Sequence, residues 1–98
     1  MLTSKQRAYL RSLANTVPAK YQVGKQGCED DAFLTQLREG LLKNELIKVT
    51  VLENADLSPR EASDRVCELL GCEGVQAIGR KFVLYQKNPK DPKIRLPE

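Results

Sequence analysis

Gly24-Lys25-Gln26-Gly27 is the stretch whose residue types and spacing could do chemistry, and that chemistry is anion binding. It lies between a short apolar segment ending at Val23 and a helical pattern that begins at about Asp30. A helix N-terminus presents unpaired backbone N–H groups and a partial positive charge. Glycines ahead of it let a ligand approach the backbone closely, with no Cβ in the way. Lys25 adds a mobile charge, which makes a phosphate the natural ligand. Spacing alone is weak, because the chain repeats it in Gly71-Cys72-Glu73-Gly74. That copy follows a helix, where the dipole is negative, and it carries Glu73 in place of lysine, so it reads as a helix cap and turn. Against the first copy stand Glu29, Asp30 and Asp31, which could satisfy the same helix end themselves.

The elements around the loop follow from periodicity and caps. Thr3 or Ser4 caps a first helix running to about Asn15, with Ala8, Leu10, Leu13 and Ala14 as its apolar stripe. Val17-Pro18 breaks it, and 19–23 reads as a short strand. A second helix spans about 30–43, with Phe33, Leu34, Leu37, Leu41 and Leu42 at helical spacing. Glu45 to Leu52 alternates as a strand. Ser58-Pro59-Arg60-Glu61 starts a third helix that buries Ala62, Val66, Leu69 and Leu70 and stops at Gly71. Residues 75–78 and 81–86 flank Gly79-Arg80, a two-residue type II′ turn, whose tip displays Arg80 and Lys81. From Asn88 a tail with Pro89, Pro92 and Pro97 runs extended and can dock Ile94 and Leu96. The order α-β-α-β-α-β-β makes residues 1–98 one α/β domain with a mixed four-stranded sheet, parallel in part, ending in an antiparallel hairpin.

Charge is segregated along the chain. Residues 1–27 carry Lys5, Arg7, Arg11, Lys20 and Lys25 and no acid; residues 28–78 are net −6; residues 79–97 are net +5. A fold that joins the ends makes a basic face, the footprint of polyanion binding. Charge alone is equally compatible with a solvated surface. The 98 residues include no histidine, which excludes every His-dependent triad or base. Cys28, Cys67 and Cys72 are an odd set without zinc spacing, so neither a metal nor a cofactor is expected. They read as reduced thiols of a cytoplasmic protein, with Cys67 on a helix face. No apolar run is long enough to span a membrane, and no secretory signal is present.

Four stretches carry a resemblance: Leu2-Thr3-Ser4-Lys5-Gln6-Arg7, Val23-Gly24-Lys25-Gln26-Gly27, Asn44-Glu45-Leu46-Ile47-Lys48-Val49 and Ile78-Gly79-Arg80-Lys81-Phe82-Val83-Leu84-Tyr85. In this order and spacing they resemble the CRM domain, the chloroplast RNA splicing and ribosome maturation module, in its stand-alone bacterial YhbY-like form. The resemblance implies an RNA-binding fold like the C-terminal domain of translation initiation factor three, associated with precursors of the large ribosomal subunit. It maps the family's G-x-x-G loop, compared with the backbone clamp of KH domains, onto Gly24 through Gly27. Cys28 stands where an aliphatic residue is usual. Gln86 stands where an arginine is usual, which removes one phosphate contact unless Lys87 supplies it.

The expected mode is recognition of structured ribosomal RNA through its backbone, with little sequence reading. Gly24, Lys25, Gln26 and Gly27 would hold one phosphate. Lys5, Arg7 and Arg11 on the first helix, and Arg80 and Lys81 at the hairpin tip, would track its neighbours. Lys48 is ambiguous, since alternating strand charges usually mark a solvent face. The aromatics are few; Phe33 and Phe82 read as core, and Tyr9 or Tyr21 is the candidate for stacking on a base. Two rivals remain. One is an enzyme using Cys28, lowered in pKa by the helix end and Lys25 but opposed by Asp30 and Asp31. The other is a non-catalytic module that binds an acidic protein partner in the ribosome assembly or translation machinery. No small-molecule substrate is expected, and a monomer is favoured.

Overall fold

The computed structural model describes residues 2–97; Met1 and Glu98, the ends of the expected domain, lie outside the described residues. Helix α1 is Ser4–Ala14, strand β1 Ala19–Val23, α2 Asp31–Asn44, β2 Leu46–Val51, α3 Pro59–Leu70, β3 Glu73–Ile78 and β4 Lys81–Tyr85. Capping boxes start two helices. The Thr3 hydroxyl accepts from Gln6 N at 3.1 Å while Thr3 N donates to Gln6 Oε1, and Ser58 and Glu61 repeat the exchange at α3. Gly71, with φ 71°, ends α3 as its left-handed cap.

The sheet order is β1-β2-β4-β3. β1 runs parallel to β2, and β2–β4 and β4–β3 are antiparallel, as the element order implies. Alternation along the strands sorts side chains onto two faces. On one face Ile47, Val49, Val51, Phe82 and Leu84 meet α2 (Phe33, Leu37, Leu41) and α3 (Ala62, Val66). On the other, Leu46, Val75, Val83 and Tyr85 meet α1 (Leu10, Ala14), with Ile94 and Leu96 of the tail packed beside them. Phe82 is fully buried between the strands and the helix pair.

Several apolar residues expected inside are not. Ala8 and Leu42 are exposed, and Leu69 is exposed over about a third of its surface, because each helix covers the sheet with only a narrow stripe. β3 begins at Glu73, ahead of the expected Val75, since a bulge between Gly74 and Gln76 lets Glu73 pair with Tyr85.

Glu45 behaves differently from a first strand residue. It is the C-cap of α2, at φ 64°, and is fully buried. Its carboxylate accepts backbone N–H groups from Asn88 at 2.7 Å, Lys93 at 2.5 Å and Ile94 at 2.7 Å. The tail also closes the end of α2: Asn88 Nδ2 donates to Leu42 O and Lys93 Nζ to Lys43 O. Burial pushes the Glu45 pKa up, but the N–H groups of Asn88, Ile94 and Lys93 and the Lys93 charge outweigh it, and the group titrates below its ordinary 4.5. A depressed carboxyl stabilises the fold fully above its unfolded value and loses that contribution as pH falls through the folded one. Removing the carboxylate would strand three partly buried donors. Glu45→Gly, although it relieves the positive φ, should therefore cost about 2–4 kcal/mol by denaturant titration at pH 7, and its deficit should shrink below pH 4. A stabilised Glu45→Gly variant would show that backbone strain dominates there.

Candidate nucleic-acid interface

The strand pairing decides which loops meet. Val23 pairs with Val51, Leu52 N donates to Val23 O at 2.9 Å, and Val51 N donates to Arg80 O at 2.7 Å. The Gly24–Gly27 loop, the β2–α3 loop and the hairpin tip therefore share one end of the sheet.

Gly27 N donates to Gly24 O at 3.0 Å, closing a β-turn with Lys25 and Gln26 at its exposed centre. Gly27 sits at φ 76°. A Cβ on Gly24 would come within 3.3 Å of Leu52 Cδ1 and 3.4 Å of Asn54 Oδ1, so that glycine serves the close packing of two loops. The α2 N-terminus takes no part in the turn. Asp30 caps it by accepting from Phe33 N at 3.1 Å, and Asp31 occupies the first turn. Aspartate thus caps this helix end, as the Glu29-Asp30-Asp31 run allows. The loop itself offers Lys25, Gln26 and the two amides its internal bond leaves unused.

Behind the turn, Cys28 is buried and donates weakly to Ala62 O at 3.8 Å, while Glu29 pairs with Arg65 of α3. Burial pushes the Cys28 thiol pKa up; Arg65 opposes this and Glu29 adds to it. The activated nucleophile considered from the sequence is not present at Cys28, which acts as the small apolar anchor of the loop.

At the tip, Gly79 has φ 60° and Arg80 has no positive φ, as a type II′ turn requires. Arg80 does not simply project. Its Nε donates to Val51 O at 3.1 Å and Nη2 to Leu52 O at 2.8 Å, fastening the hairpin to the end of β2. With five donors, the guanidinium keeps its charge at the rim while it does so.

Cross-strand register then shows a surface that the sequence reading did not assemble. Gln22 pairs with Thr50, Thr50 with Lys81, and Lys81 with Ile78, so these four form one row across the sheet. The row shares the α1 face, because Lys81 lies two residues from Val83. α1 covers only the Leu46–Tyr85 half of that face, and Ile78 is 64% exposed. Lys48, opposite Val83, belongs to the same face and is half-buried. The alternation that makes Lys48 ambiguous marks the face it shares with Lys81, where Lys48 stands diagonal to Lys81, one row away.

Arg7 borders the strip: it lines a cleft with Gln76 and Ala77 of β3, and its buried Nε is unpartnered among the described residues. Arg11, one turn on, lies on the same flank. Lys5 lies about 160° around the helix from Arg7, on the outward side. The structure brings Lys25, Arg80, Lys81, Arg7 and Arg11 around one surface and leaves Lys5 off it. Tyr21 is not a stacking platform. It packs against the α2 side of the sheet, where a Cβ on Gly40 would fall 2.8 Å from its Cζ. Tyr9 remains exposed on α1.

The model of the CRS1/YhbY (CRM) domain matches residues 2–86. The chain belongs to the CRM domain family. It is 37% identical over 97 residues to the probable RNA-binding protein YqeI of Bacillus subtilis, covering 99% of this chain and 100% of that one. It is 29% identical to the probable RNA-binding protein PA4753 of Pseudomonas aeruginosa, covering 94% and 88%. The solution structure of SAV1595 from Staphylococcus aureus superposes with a TM-score of 0.81 at 38% identity, over 99% of this chain and 100% of that one. The α/β fold expected from the element order is therefore the CRM fold.

Within this CRM domain the fork of Arg80 predicts a local effect. Arg80→Ala should speed amide exchange at Val51 and in the hairpin turn while leaving the α2–α3 core protected. Arg80→Lys should fail to rescue it, because an ammonium cannot bridge two carbonyls as the planar fork does. Unchanged exchange in both variants would mean that the fork holds nothing.

Proposed function

We propose that this CRM domain binds structured ribosomal RNA through its phosphate backbone, as an assembly factor acting on precursors of the large ribosomal subunit in the cytoplasm. The observation that carries the reading is the uncovered strip of sheet. Lys48 and Lys81 stand on it, Lys25 and Arg80 rim its loop end, and Arg7 and Arg11 flank it from α1. A flat basic surface rimmed by a glycine turn suits a polyanion whose charges lie in rows. The polar row Gln22–Thr50 adds hydrogen-bonding groups without an aromatic platform, which favours shape and backbone over base reading. Two relatives carry RNA binding in their names, and the family resemblance supplies the ribosomal setting. No helix among the described residues is long and apolar enough to cross a membrane.

Fluorescence anisotropy on large-subunit rRNA fragments tests this. Six phosphate contacts should make affinity fall ~1000-fold between roughly 50 and 200 mM salt. Lys25→Gln, Lys48→Gln and Lys81→Gln should each weaken binding and flatten the salt slope by about one unit, whereas Lys43→Gln at the opposite end of the sheet should do neither. A flat salt response, or equal losses in all four variants, would contradict the surface. Retention of a protein partner after nuclease treatment, with no RNA affinity, would instead favour an acidic protein as the ligand.

A further inference from the structure

Cys67 and Cys72 lie at the junction of α3 and β3, in the cleft that Arg7 lines at the border of the basic strip. Cys67 occupies the last turn of α3, Cys72 immediately precedes β3, and Gly71 turns the chain between them. Their sulfurs are 3.8 Å apart, with the Cys72 thiol donating to Cys67 Sγ. Both line a cleft with Arg7, Arg60, Ser63 and Gly74. Gly74 leaves room there: a Cβ on it would stand 3.2 Å from Ser63 Oγ and 3.7 Å from Cys67 Sγ.

We propose that Cys67 and Cys72 form a reversible oxidation site, with Cys67 attacking a peroxide and Cys72 resolving the product as an intramolecular disulfide. The geometry assigns the roles. Of the two that line the cleft, Cys67 is half-buried and Cys72 is buried. The Cys72 hydrogen bond lowers the Cys67 pKa and Ser63 supports it, while burial and the carboxylates of Asp64 and Glu73 oppose it. The same hydrogen bond to Cys67, and then burial, raise that of Cys72. A peroxide entering from solvent meets the half-buried Cys67 sulfur before the buried Cys72 sulfur, so Cys67 is the attacking group. It attacks one peroxide oxygen and breaks the O–O bond, giving a sulfenic acid at Cys67 and a hydroxide that leaves as water with one thiol proton. Cys72 sulfur then displaces the sulfenic hydroxyl, which leaves as a second water with the other proton. Two thiols lose two electrons and two protons, and the peroxide takes up both. The sulfurs must close by about 1.8 Å to reach disulfide length. Cys28 stands outside the reaction, buried with its thiol on Ala62 O.

Trypsin releases both reacting cysteines in one peptide, 66–80, and Cys28 in another, 26–38. The reduced full chain would be treated with hydrogen peroxide at neutral pH, quenched, alkylated in denaturant and mapped by mass spectrometry. The expected result is peptide 66–80 lighter by two hydrogens and unalkylated, peptide 26–38 alkylated, and recovery of both thiols with a dithiol reductant. In Cys72→Ala, a sulfenic-acid trap should label Cys67; in Cys67→Ala, Cys72 should stay reduced. The native chain should also react several-fold faster than the chain in urea. Alkylation of both cysteines, a cross-link to Cys28 or between chains, or equal rates folded and unfolded would overturn the proposal.

Discussion

The register of β2 is the constraint on which the rest depends. It pairs in parallel with β1 and antiparallel with β4, and both ladders are fixed by the core face that Ile47, Val49 and Val51 present to α2 and α3. A slip of one residue would send those three outward and Lys48 and Thr50 inward, which the buried face forbids. The same register places the ends of β1 and β2 beside the start of β4. It thereby gathers the glycine turn and the hairpin tip, although they are more than fifty residues apart in sequence. The basic strip is a by-product of the alternation that builds the core.

The opposite end of the sheet is organised by one carboxylate. Glu45 holds a backbone conformation unusual for any residue but glycine, and three N–H groups of the tail converge on it. Lys93, part of the C-terminal basic block, spends its ammonium on the last turn of α2. The tail thus works as an outside cap for α2 and as a cover for Ile94 and Leu96. The charge excess near the C-terminus is partly structural and cannot be counted wholly toward RNA.

Much of the fold was legible because its signals are local. Ser58-Pro59-Arg60-Glu61 is a capping box with proline at its first helical position, and Gly79-Arg80 is a turn whose glycine must carry the positive φ. What stayed hidden is non-local. Glu45 reads as the start of a strand, because nothing near it announces three donors arriving from beyond residue 87. Arg80 reads as a displayed charge, because the carbonyls of Val51 and Leu52 come beside it only in the folded sheet. Only the β2–β4 register puts Lys48 and Lys81 diagonally together on one face; without it, the row Gln22–Thr50–Lys81–Ile78 has no existence in the chain. The glycines of the Gly24–Gly27 loop serve a tight turn and a close loop contact, and the helix end behind it belongs to Asp30.

The central claim is that one continuous face, from the glycine turn across the bare half of the sheet to the α1 flank, receives RNA. Amide and side-chain chemical-shift mapping of the full chain, titrated with a structured large-subunit rRNA fragment, tests it most directly. The account predicts shifts at Lys25 and Gln26, along Gln22, Thr50, Lys81 and Ile78, and at Arg7 and Arg11, with α2 and α3 quiet on their outer surfaces. Shifts confined to the outer faces of α2 and α3, or to the tail, would contradict it.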